Sequence, residues 1–525
     1  METPLTPLEF ARRARMLYPD REAVVDDGLR LTYEQFFDRC DRWSAVLQRQ
    51  MGVRRGDRVA YIAPNTHAQL ESFYAVPQLG AVLVPINYRL TAEDFAYIIQ
   101  HSGARVVCAH PDYLDAIDRV RSLLPEVTHY VSLDGATRPG WTGYEQQLAA
   151  ASPEFEHPVI AEGDLISLNY TSGTTARPKG VMITHRNEWA NIVGTLIHLP
   201  LRIDDRYLWT LPMFHANGWT FVWVVTAVGG THVCLPKVEP ARIFELVRRE
   251  HISWLCAAPT VLIALASAPA EVREAVPPGV HVVTAGAPPA AATIERLEGD
   301  LGWEVTQVYG LTETGPFLTV CEPRPEHAAL APAERAIIKA RQGVELLTSG
   351  QLRVVGSAGN DVPADGATLG EIVYRGNVIM KGYFNDPEAT EAVMGDGWFH
   401  TGDAAVMHPD GYIEIRDRLK DVIISGGENI SSVEVEGVLL RHPAVQEAAI
   451  VGIPHPRWGE APFAFVVLKA GAEATPEDLI AFARQRLAHF KAPHGVAFVA
   501  ELPKTATGKI QKYVLRKGAP AMAPQ

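Results

Sequence analysis

The sequence predicts an α/β protein with a large N-terminal domain and a smaller α+β C-terminal domain. Three observations support this prediction: the chain length, the alternation of strand-like and helix-like segments, and a change of pattern in the last fifth of the chain. With 525 residues the chain is too long for one ordinary core, because domains usually hold roughly 100 to 200 residues. Hydrophobic residues make up 47% and charged residues 21%, a balance typical of folded globular proteins.

Short runs rich in valine, isoleucine and leucine predict the strands of the large domain. They occupy residues 58–63, 105–109, 164–168, 231–235 and 281–284. Helical periodicity lies between them, for example at residues 241–251, where Ile243, Phe244 and Val247 recur at helical spacing. Because the two patterns alternate, we expect mostly parallel sheets that are covered by helices.

The C-terminal part is typical of a compact α+β unit. Strand patterns occur at 421–424, 448–451 and 463–468. Ser431 and Glu434 have the spacing of a capping box before residues 435–440, and Thr475 with Pro476 predicts a helix that continues to Leu487. A polar run at 417–420 separates this unit from the rest, so we predict domains at residues 1–417 and 418–525.

Charge and cysteine content exclude several classes of function. The 48 Lys and Arg against 61 Asp and Glu give a net charge of −13, which argues against a general nucleic-acid binder. We find no run of about 18 apolar residues and no secretory signal at the N-terminus, so we expect a cytoplasmic protein without a transmembrane segment. The 5 cysteines form no CxxC pair, so neither a disulfide framework nor a zinc site is indicated.

The most informative segment is the hydroxyl-rich loop at 170–180, YTSGTTARPKG, which directly follows a predicted strand. Its hydroxyls, Gly173 and Lys179 are suited to wrapping an oligophosphate, although a Ser/Thr-rich turn is the simpler alternative. A P-loop does not fit, because Gly180 rather than Ser or Thr follows Lys179.

This loop resembles the phosphate-binding signature of the adenylate-forming ligase superfamily, which includes acyl-CoA synthetases, peptide-synthetase adenylation domains and beetle luciferases. Four further segments resemble the family's motifs and follow in the family's order: QVYGLTE at 307–313, WFHTGD at 398–403, RLKDVIISGGEN at 418–429 and PKTATGK at 503–509. Five such segments in one order are hard to obtain by chance. The resemblance covers nearly the whole chain.

The resemblance implies ATP, Mg²⁺ and coenzyme A as partners and assigns their binding residues. Activation of a carboxylate by ATP brings two anions together, so it needs cations, hydroxyl donors and a metal. Thr171 and Glu313 are expected to hold Mg²⁺, while Asp403 and Arg418 bind ribose. The remaining ATP-binding residues of the large domain are expected to be Ser172, Gly173, Thr174, Thr175, Lys179, Gly286, Ala287, Pro288, Gln307, Val308, Tyr309, Gly310 and Thr312.

The C-terminal domain is expected to serve both half-reactions. Lys509 resembles the family's catalytic lysine, which stabilises the charge that develops between the carboxylate and the α-phosphate. Lys420 occupies the family's hinge position, and the domain is expected to move about it. That movement brings Ser425, Gly426 and Gly427 to coenzyme A, where residues without side chains allow pantetheine to pass close to the backbone.

The acyl group is expected to bind at 212–219, PMFHANGW, together with Ala285 and Gly310. His215 matches the position that borders the carboxylate, although a core histidine is the alternative, and Trp219 resembles the gating tryptophan of fatty-acyl-CoA synthetases. Ala176 departs from the family, which often has glycine there. If this position needs a positive φ, alanine would be strained by roughly 1 kcal/mol.

We therefore predict an ATP- and Mg²⁺-dependent acyl-CoA synthetase, an acid–thiol ligase that proceeds through an acyl-adenylate. Its acid is expected to be hydrophobic, either a medium- to long-chain fatty acid or a compact aryl or alkyl acid. An amide synthetase, which passes the adenylate to an amine, and a catalytically silent nucleotide-binding regulator are the alternatives. A homodimer is possible.

Overall fold

The computed structural model describes residues 2–133, 138–171, 177–286, 289–426, 428–504 and 510–519. Within these ranges the predicted α/β class is confirmed. No helix of the described residues combines the length and the apolar composition that crossing a bilayer demands. The cysteines are all buried and none forms a disulfide.

The helices in chain order are α1 Leu8–Leu17, α2 Tyr33–Ala45, α3 His67–Ala75, α4 Ala92–Ser102, α5 Leu114–Val120, α6 Tyr144–Ala150, α7 His185–His198, α8 Ala216–Trp219, α9 Phe221–Val228, α10 Pro240–Arg249, α11 Pro259–Ala266, α12 Ala270–Arg273, α13 Ala291–Leu301, α14 Pro332–Lys339, α15 Pro387–Met394, α16 Ser432–Leu439, α17 Pro476–Arg484 and α18 Lys512–Gly518.

The strands are β1 Glu22–Asp26, β2 Leu29–Thr32, β3 Arg58–Ile62, β4 Val82–Pro85, β5 Ala104–Ala109, β6 His129–Ser132, β7 Thr142–Gly143, β8 Leu165–Thr171, β9 Lys179–Thr184, β10 Arg206–Leu208, β11 Thr231–Val233, β12 Trp254–Ala257, β13 His281–Thr284, β14 Glu304–Gly310, β15 Phe317–Val320, β16 Val344–Glu345, β17 Gln351–Val355, β18 Gly370–Arg375, β19 Gly382–Tyr383, β20 Phe399–Met407, β21 Ile413–Arg418, β22 Ile423–Ser425, β23 Glu428–Ile430, β24 Val445–His455, β25 Gly459–Leu468 and β26 Gly495–Phe498.

Contacts within the chain divide it into two compact units. Unit 1 comprises residues 1–340, 344–351 and 375–399, and unit 2 comprises 341–343, 352–374 and 400–525. The domain boundary at 417/418, which was predicted from the polar run at 417–420, stays a prediction.

Unit 1 is built on two large sheets, which are mostly parallel as predicted. In the described residues one sheet has nine strands, in the order β16-β15-β14-β13-β12-β10-β11-β1-β2, and the other has eight, in the order β19-β9-β8-β4-β3-β5-β6-β7. Antiparallel pairs occur towards the sheet edges, where β8 pairs with β9 and β14 with β15.

Successive side chains of the strands in unit 1 point to opposite faces of their sheet, so they pack into separate hydrophobic layers. Val59 and Tyr61 of β3 join a core that also contains α2, α3, α9 and residues of the nine-stranded sheet, so these helices lie between the two sheets. Ala60 and Ile62 instead pack with α4 and α5 on the outer face. Helices α10, α11 and α13 cover the outer face of the nine-stranded sheet.

Unit 2 contains a four-stranded sheet, β17-β18-β20-β21, and a sheet of β23-β22-β25-β24 that β26 extends. Residues of β24 alternate between two small cores: Ala448 and Ile450 pack towards α16 and α17, whereas Ala449 and Val451 pack towards α18. Thr475 caps α17 as predicted, but the helix ends at Arg484 rather than Leu487.

Candidate active site

The predicted phosphate loop connects the two strands of a hairpin. β8 and β9 pair antiparallel, with Thr171 directly opposite Lys179, so the two residues stand at the base of the loop. Residues Ser172, Gly173, Thr174, Thr175 and Ala176 lie outside the described residues. The hairpin therefore places one hydroxyl and one ammonium group, both half-buried, on neighbouring strands.

Tyr383 joins the phosphate loop to the predicted metal ligand. Its hydroxyl donates a hydrogen bond of 2.9 Å to Glu313 Oε1, and Lys179 Nζ lies 4.7 Å from the centre of its ring. Both the tyrosine and the glutamate have further backbone support, because Tyr383 pairs with Val181 of β9 and Met380 N–H donates to the Glu313 carbonyl at 2.8 Å. The ring thus brings together two predicted site residues that are far apart in sequence.

The two oxygen donors predicted to hold Mg²⁺, on Thr171 and Glu313, are of the type that this ion prefers. Mg²⁺ in nucleotide sites is usually bound by one or two protein oxygens, with phosphate oxygens and water completing the octahedron. The Glu313 carboxylate and the Thr171 hydroxyl would supply such oxygens. In the part of the chain that the structure describes, no group of three or more His, Cys, Asp or Glu side chains is placed to hold a metal ion.

Two buried polar side chains lie side by side, one at the end of β13 and one in the middle of β14. Among the described residues, Gln307 Oε1 and Thr284 Oγ1 have no hydrogen-bond partner, although Gln307 is only 2% exposed and Thr284 is fully buried. The two residues are directly paired across the parallel strands. Buried polar groups normally have partners, and ligands of α/β proteins bind at the carboxyl ends of parallel strands. These atoms therefore indicate a polar ligand at this place.

The neighbouring predicted residues include two glycines, Gly286 and Gly310, at positions where the backbone favours glycine. Ala285 is buried, and Gly286, which follows it, is exposed and has a φ of +89°. At Gly310 a Cβ would lie 1.8 Å from the Pro316 carbonyl oxygen, so only glycine fits at the end of β14. Val308 and Tyr309 are buried on the same strand. Ala287 and Pro288 lie outside the described residues.

The predicted acyl motif forms the connection between β10 and α9. His215 is half-buried and its N–H donates to the Pro212 carbonyl at 3.1 Å. Trp219 is only 4% exposed, and its indole packs against Phe317 at a tilted angle of 64° with ring centres 5.9 Å apart. Residues 216–220, which directly follow His215 and include Trp219, all have positive φ.

The predicted ribose pair meets in unit 2. Asp403 and Arg418 face each other across β20 and β21, and Arg418 Nε lies 2.7 Å from Asp403 Oδ1. Lys420, the predicted hinge, follows in the next turn. Partial burial lowers the pKa of Lys420, an effect that Asp421 opposes and Arg418 reinforces.

The predicted coenzyme A segment is described in part. Ser425 is buried at the end of β22, and Gly426 has a φ of +62°, which favours glycine. The Gly426 N–H donates to the Trp458 carbonyl at 2.8 Å. Gly427 and the predicted catalytic Lys509 lie outside the described residues, so their roles stay predictions, as do those of the other site residues.

Two further residues of the site, Tyr383 and Thr284, were not predicted from the sequence. Tyr383 lies 70 residues after Glu313, so no local spacing could connect the two. Thr284 ends a predicted strand, and its position beside the QVYGLTE segment could have been inferred from the rule that carboxyl ends of parallel strands share one edge.

Comparisons with known proteins identify the family. The model of the AMP-binding enzyme family matches residues 10–384, and that of the AMP-binding enzyme C-terminal domain matches 434–509. The chain is 42% identical over 539 residues to the peroxisomal trans-cinnamate:CoA ligase of Petunia hybrida, covering 98% of this chain and 94% of the relative. It is 42% identical over 548 residues to the peroxisomal acetate/butyrate–CoA ligase AAE7 of Arabidopsis thaliana, covering 99% and 96%.

A solved structure agrees with these matches. The anthranilate CoA ligase AuaEII in complex with anthranoyl-AMP superimposes with a TM-score of 0.87 at 26% identity, covering 99% of each chain. The motifs, the fold and the two family models coincide over nearly the whole length. The chain therefore belongs to the AMP-binding enzyme family, within the acyl-CoA synthetase superfamily of adenylate-forming ligases.

Proposed function

We propose that this AMP-forming acid–CoA ligase activates a compact monocarboxylic acid, either a short aliphatic acid or a small aryl acid. The observation that carries the proposal is the placement of Trp219, which is buried and packs against Phe317 beside the predicted acyl site. An indole held in this way limits the length of an acyl chain. The two plant relatives are named for cinnamate and for acetate and butyrate, which are also compact acids.

In the first half-reaction a carboxylate oxygen of the acid attacks the α-phosphorus of ATP, and pyrophosphate leaves. Lys179 and Thr171, at the base of the β8–β9 hairpin, are suited to hold the phosphates. Thr171 and Glu313 would hold Mg²⁺, which neutralises charge on the departing pyrophosphate when it is bound. Tyr383 orients the Glu313 carboxylate through its hydrogen bond. Lys509 is proposed to stabilise the negative charge that develops between the attacking carboxylate oxygen and the oxygens of the α-phosphate.

In the second half-reaction the thiol of coenzyme A attacks the acyl carbonyl, and AMP leaves. Ser425, Gly426 and Gly427 are proposed to line the path of pantetheine, after movement of the C-terminal domain about Lys420. Asp403 and Arg418, already paired, are proposed to bind the ribose. The cytoplasmic location expected from the sequence also stays a proposal, since both plant relatives are named peroxisomal.

Pyrophosphate release over a panel of acids tests the function. The purified protein is incubated with ATP, Mg²⁺ and each acid, together with coenzyme A, with simple amines, or with neither acceptor. We expect a thioester only with coenzyme A and turnover that is highest with compact acids. A product that forms only with amines would support an amide synthetase, and absence of pyrophosphate release with every acid would support a silent nucleotide-binding protein.

Substitution of Trp219 tests the substrate class. Trp219→Ala should raise kcat/KM for an eight-carbon acid relative to butyrate by about tenfold or more, because removal of the indole makes room for several methylene groups. Trp219→Phe, which keeps an aromatic ring, is the matched control and should retain the preference for short acids. If the alanine variant keeps the wild-type preference, Trp219 does not limit chain length.

A further inference from the structure

The acyl motif contains an unusual run of left-handed backbone. The φ angles of Ala216, Asn217, Gly218, Trp219 and Thr220 are 36°, 48°, 57°, 52° and 65°. Left-handed conformations are unfavourable for residues with a Cβ, and four of these five residues carry one. Such a segment persists only if its surroundings hold it in place.

Glycine at the centre of the run is required by packing. A Cβ at Gly218 would lie 2.6 Å from Cζ3 of Trp209, which is fully buried. The segment is thus pressed closely against the end of the neighbouring strand. Asn217 lies before Gly218 and Thr220 lies after it, and the polar side chains of both residues make hydrogen bonds that hold the segment.

The side chain of Glu188 binds both of those flanking residues. Asn217 Nδ2 donates to Glu188 Oε1 at 2.5 Å, and Thr220 Oγ1 donates to Glu188 Oε2 at 3.2 Å. Each carboxyl oxygen thus holds one end of the turn that contains Trp219. Glu188 lies on α7 and is one of the buried residues of this helix.

The strand that leads to the phosphate loop provides a second support. Asn217 Nδ2 also donates to Ser167 Oγ at 2.7 Å, and Asn169 Nδ2 donates to Asn217 Oδ1 at 3.1 Å. Ser167 and Asn169 belong to β8, which ends at Thr171. Asn217 is therefore hydrogen-bonded to both β8 and α7. Thr220 is hydrogen-bonded to α7 through Glu188.

The carboxyl group of Glu188 is in an environment that keeps it neutral. Glu188 is only 1% exposed, and burial raises its pKa to about 8, while the hydrogen bonds from Asn217 and Thr220 act in the opposite direction. At neutral pH the group is mostly protonated, so an amide can replace it closely. A leucine would fill similar space but would make neither hydrogen bond.

We propose that Glu188 is a positioning residue for recognition of the acid: through Asn217 and Thr220 it holds the left-handed run 216–220, and thereby fixes the Trp219 indole that limits the acyl pocket. This inference rests on the proposed function. Without the two hydrogen bonds the run can relax towards ordinary backbone conformations, and the indole then leaves its contact with Phe317. Glu188 itself does not touch the reacting atoms.

Two matched pairs of variants test the proposal in the full-length enzyme. Glu188→Leu removes both hydrogen bonds, and Glu188→Gln can keep both. Thr220→Val removes one hydroxyl without changing the branching at Cβ, and Thr220→Ser keeps the hydroxyl. For each protein we would measure kcat and KM for acids of two to ten carbons at saturating ATP, KM for ATP, and the melting temperature.

We expect Glu188→Leu to raise KM for the preferred acid by about tenfold and to reduce its kcat/KM advantage over longer acids by a similar factor, with KM for ATP changed less than about twofold. Thr220→Val should change the same quantities in the same direction by a smaller factor. Glu188→Gln and Thr220→Ser should stay within about threefold of the wild type.

Several outcomes would overturn the proposal. One is a folded Glu188→Leu variant with the wild-type KM and acid preference. Another is an equal loss in the glutamine and leucine variants, because the glutamine keeps the hydrogen bonds. If Glu188→Leu does not fold, a Thr220→Val variant with wild-type acid preference decides against it. If the wild-type enzyme releases no pyrophosphate in response to any acid, the proposed function itself is refuted. The outcomes above, seen in an active enzyme, would refute only the role of Glu188.

Discussion

At the scale of single residues, the hydrogen bond between Tyr383 and Glu313 predicts a specific defect in the use of Mg²⁺. A hydrogen bond to a charged group contributes about 1.5 to 3 kcal/mol, which corresponds to roughly 10- to 100-fold in binding or rate. We expect Tyr383→Phe to raise the Mg²⁺ concentration at half-maximal pyrophosphate release by about tenfold, because the carboxylate loses its fixed orientation.

Tyr33→Phe is the matched control for this measurement. It also removes one buried hydroxyl, which donates to the Gly230 carbonyl at 2.7 Å, but it has no contact with Glu313. This variant should be less stable and yet show the wild-type Mg²⁺ dependence. The same Mg²⁺ dependence in Tyr383→Phe and the wild type would show that the tyrosine does not support the metal site.

The residues of the candidate site differ in how far the sequence could predict them. Asp403 and Arg418 were both predicted to bind ribose, a role that stays a prediction, and the fold brings them together in an ion pair of 2.7 Å. Tyr383 could not be predicted, because its contact with Glu313 depends on the pairing of β19 with β9. Glu188 was also missed, since a glutamate on an amphipathic helix is ordinarily exposed and only the folded chain shows it to be buried.

At the scale of elements, α7 is the helix that positions much of the site. Asn187 and Asn191 donate to the carbonyls of Ile379 and Phe317 at 2.8 and 2.9 Å, both of which follow Glu313 in the sequence. Glu188 of the same helix binds Asn217 and Thr220 of the acyl motif. A capping box begins the helix: Thr184 Oγ1 accepts from Asn187 N–H at 3.2 Å, and Asn187 Oδ1 accepts from Thr184 N–H at 2.9 Å.

Thr184→Ala should destabilise unit 1 by about 1 to 2 kcal/mol, because it leaves a buried helix N-terminus without its cap. Urea unfolding followed by tryptophan fluorescence measures the change, since the tryptophans other than Trp458 lie in unit 1. Thr184→Ser keeps the hydroxyl and should be within about 0.5 kcal/mol of the wild type. Equal stability of the alanine variant and the wild type would contradict the role of this cap.

At the scale of the whole molecule, Lys509 is expected to act in adenylate formation but not in thioester formation. Its substitution should therefore slow the first half-reaction much more than the second. Lys509→Ala should lower the rate of adenylate formation by about 10² to 10³, by analogy with the loss of a transition-state donor. Thioester formation from supplied acyl-adenylate and coenzyme A should remain close to that of the wild type. Separate assays of the two half-reactions measure this difference.

Lys504 provides the matched control for Lys509. It lies in the same C-terminal segment and its Nζ is 2.7 Å from Glu447 Oε1, so Lys504→Ala removes a positive charge that is already used in an ion pair. That variant should retain both half-reactions. If Lys509→Ala slows both half-reactions equally, the model in which the C-terminal domain adopts two positions is wrong.

The sequence by itself determined the α/β class, the order of the motifs and most of the candidate ligands, because hydrophobic periodicity and short motifs are local properties of a chain. Only the tertiary structure decided that Tyr383 supports Glu313, that Thr284 and Gln307 are neighbours across β13 and β14, and that Glu188 binds the left-handed run before α9. These contacts join residues between 23 and 70 positions apart, through strand pairing and helix packing. Their geometry follows from burial and pairing across the whole domain, which no local pattern encodes.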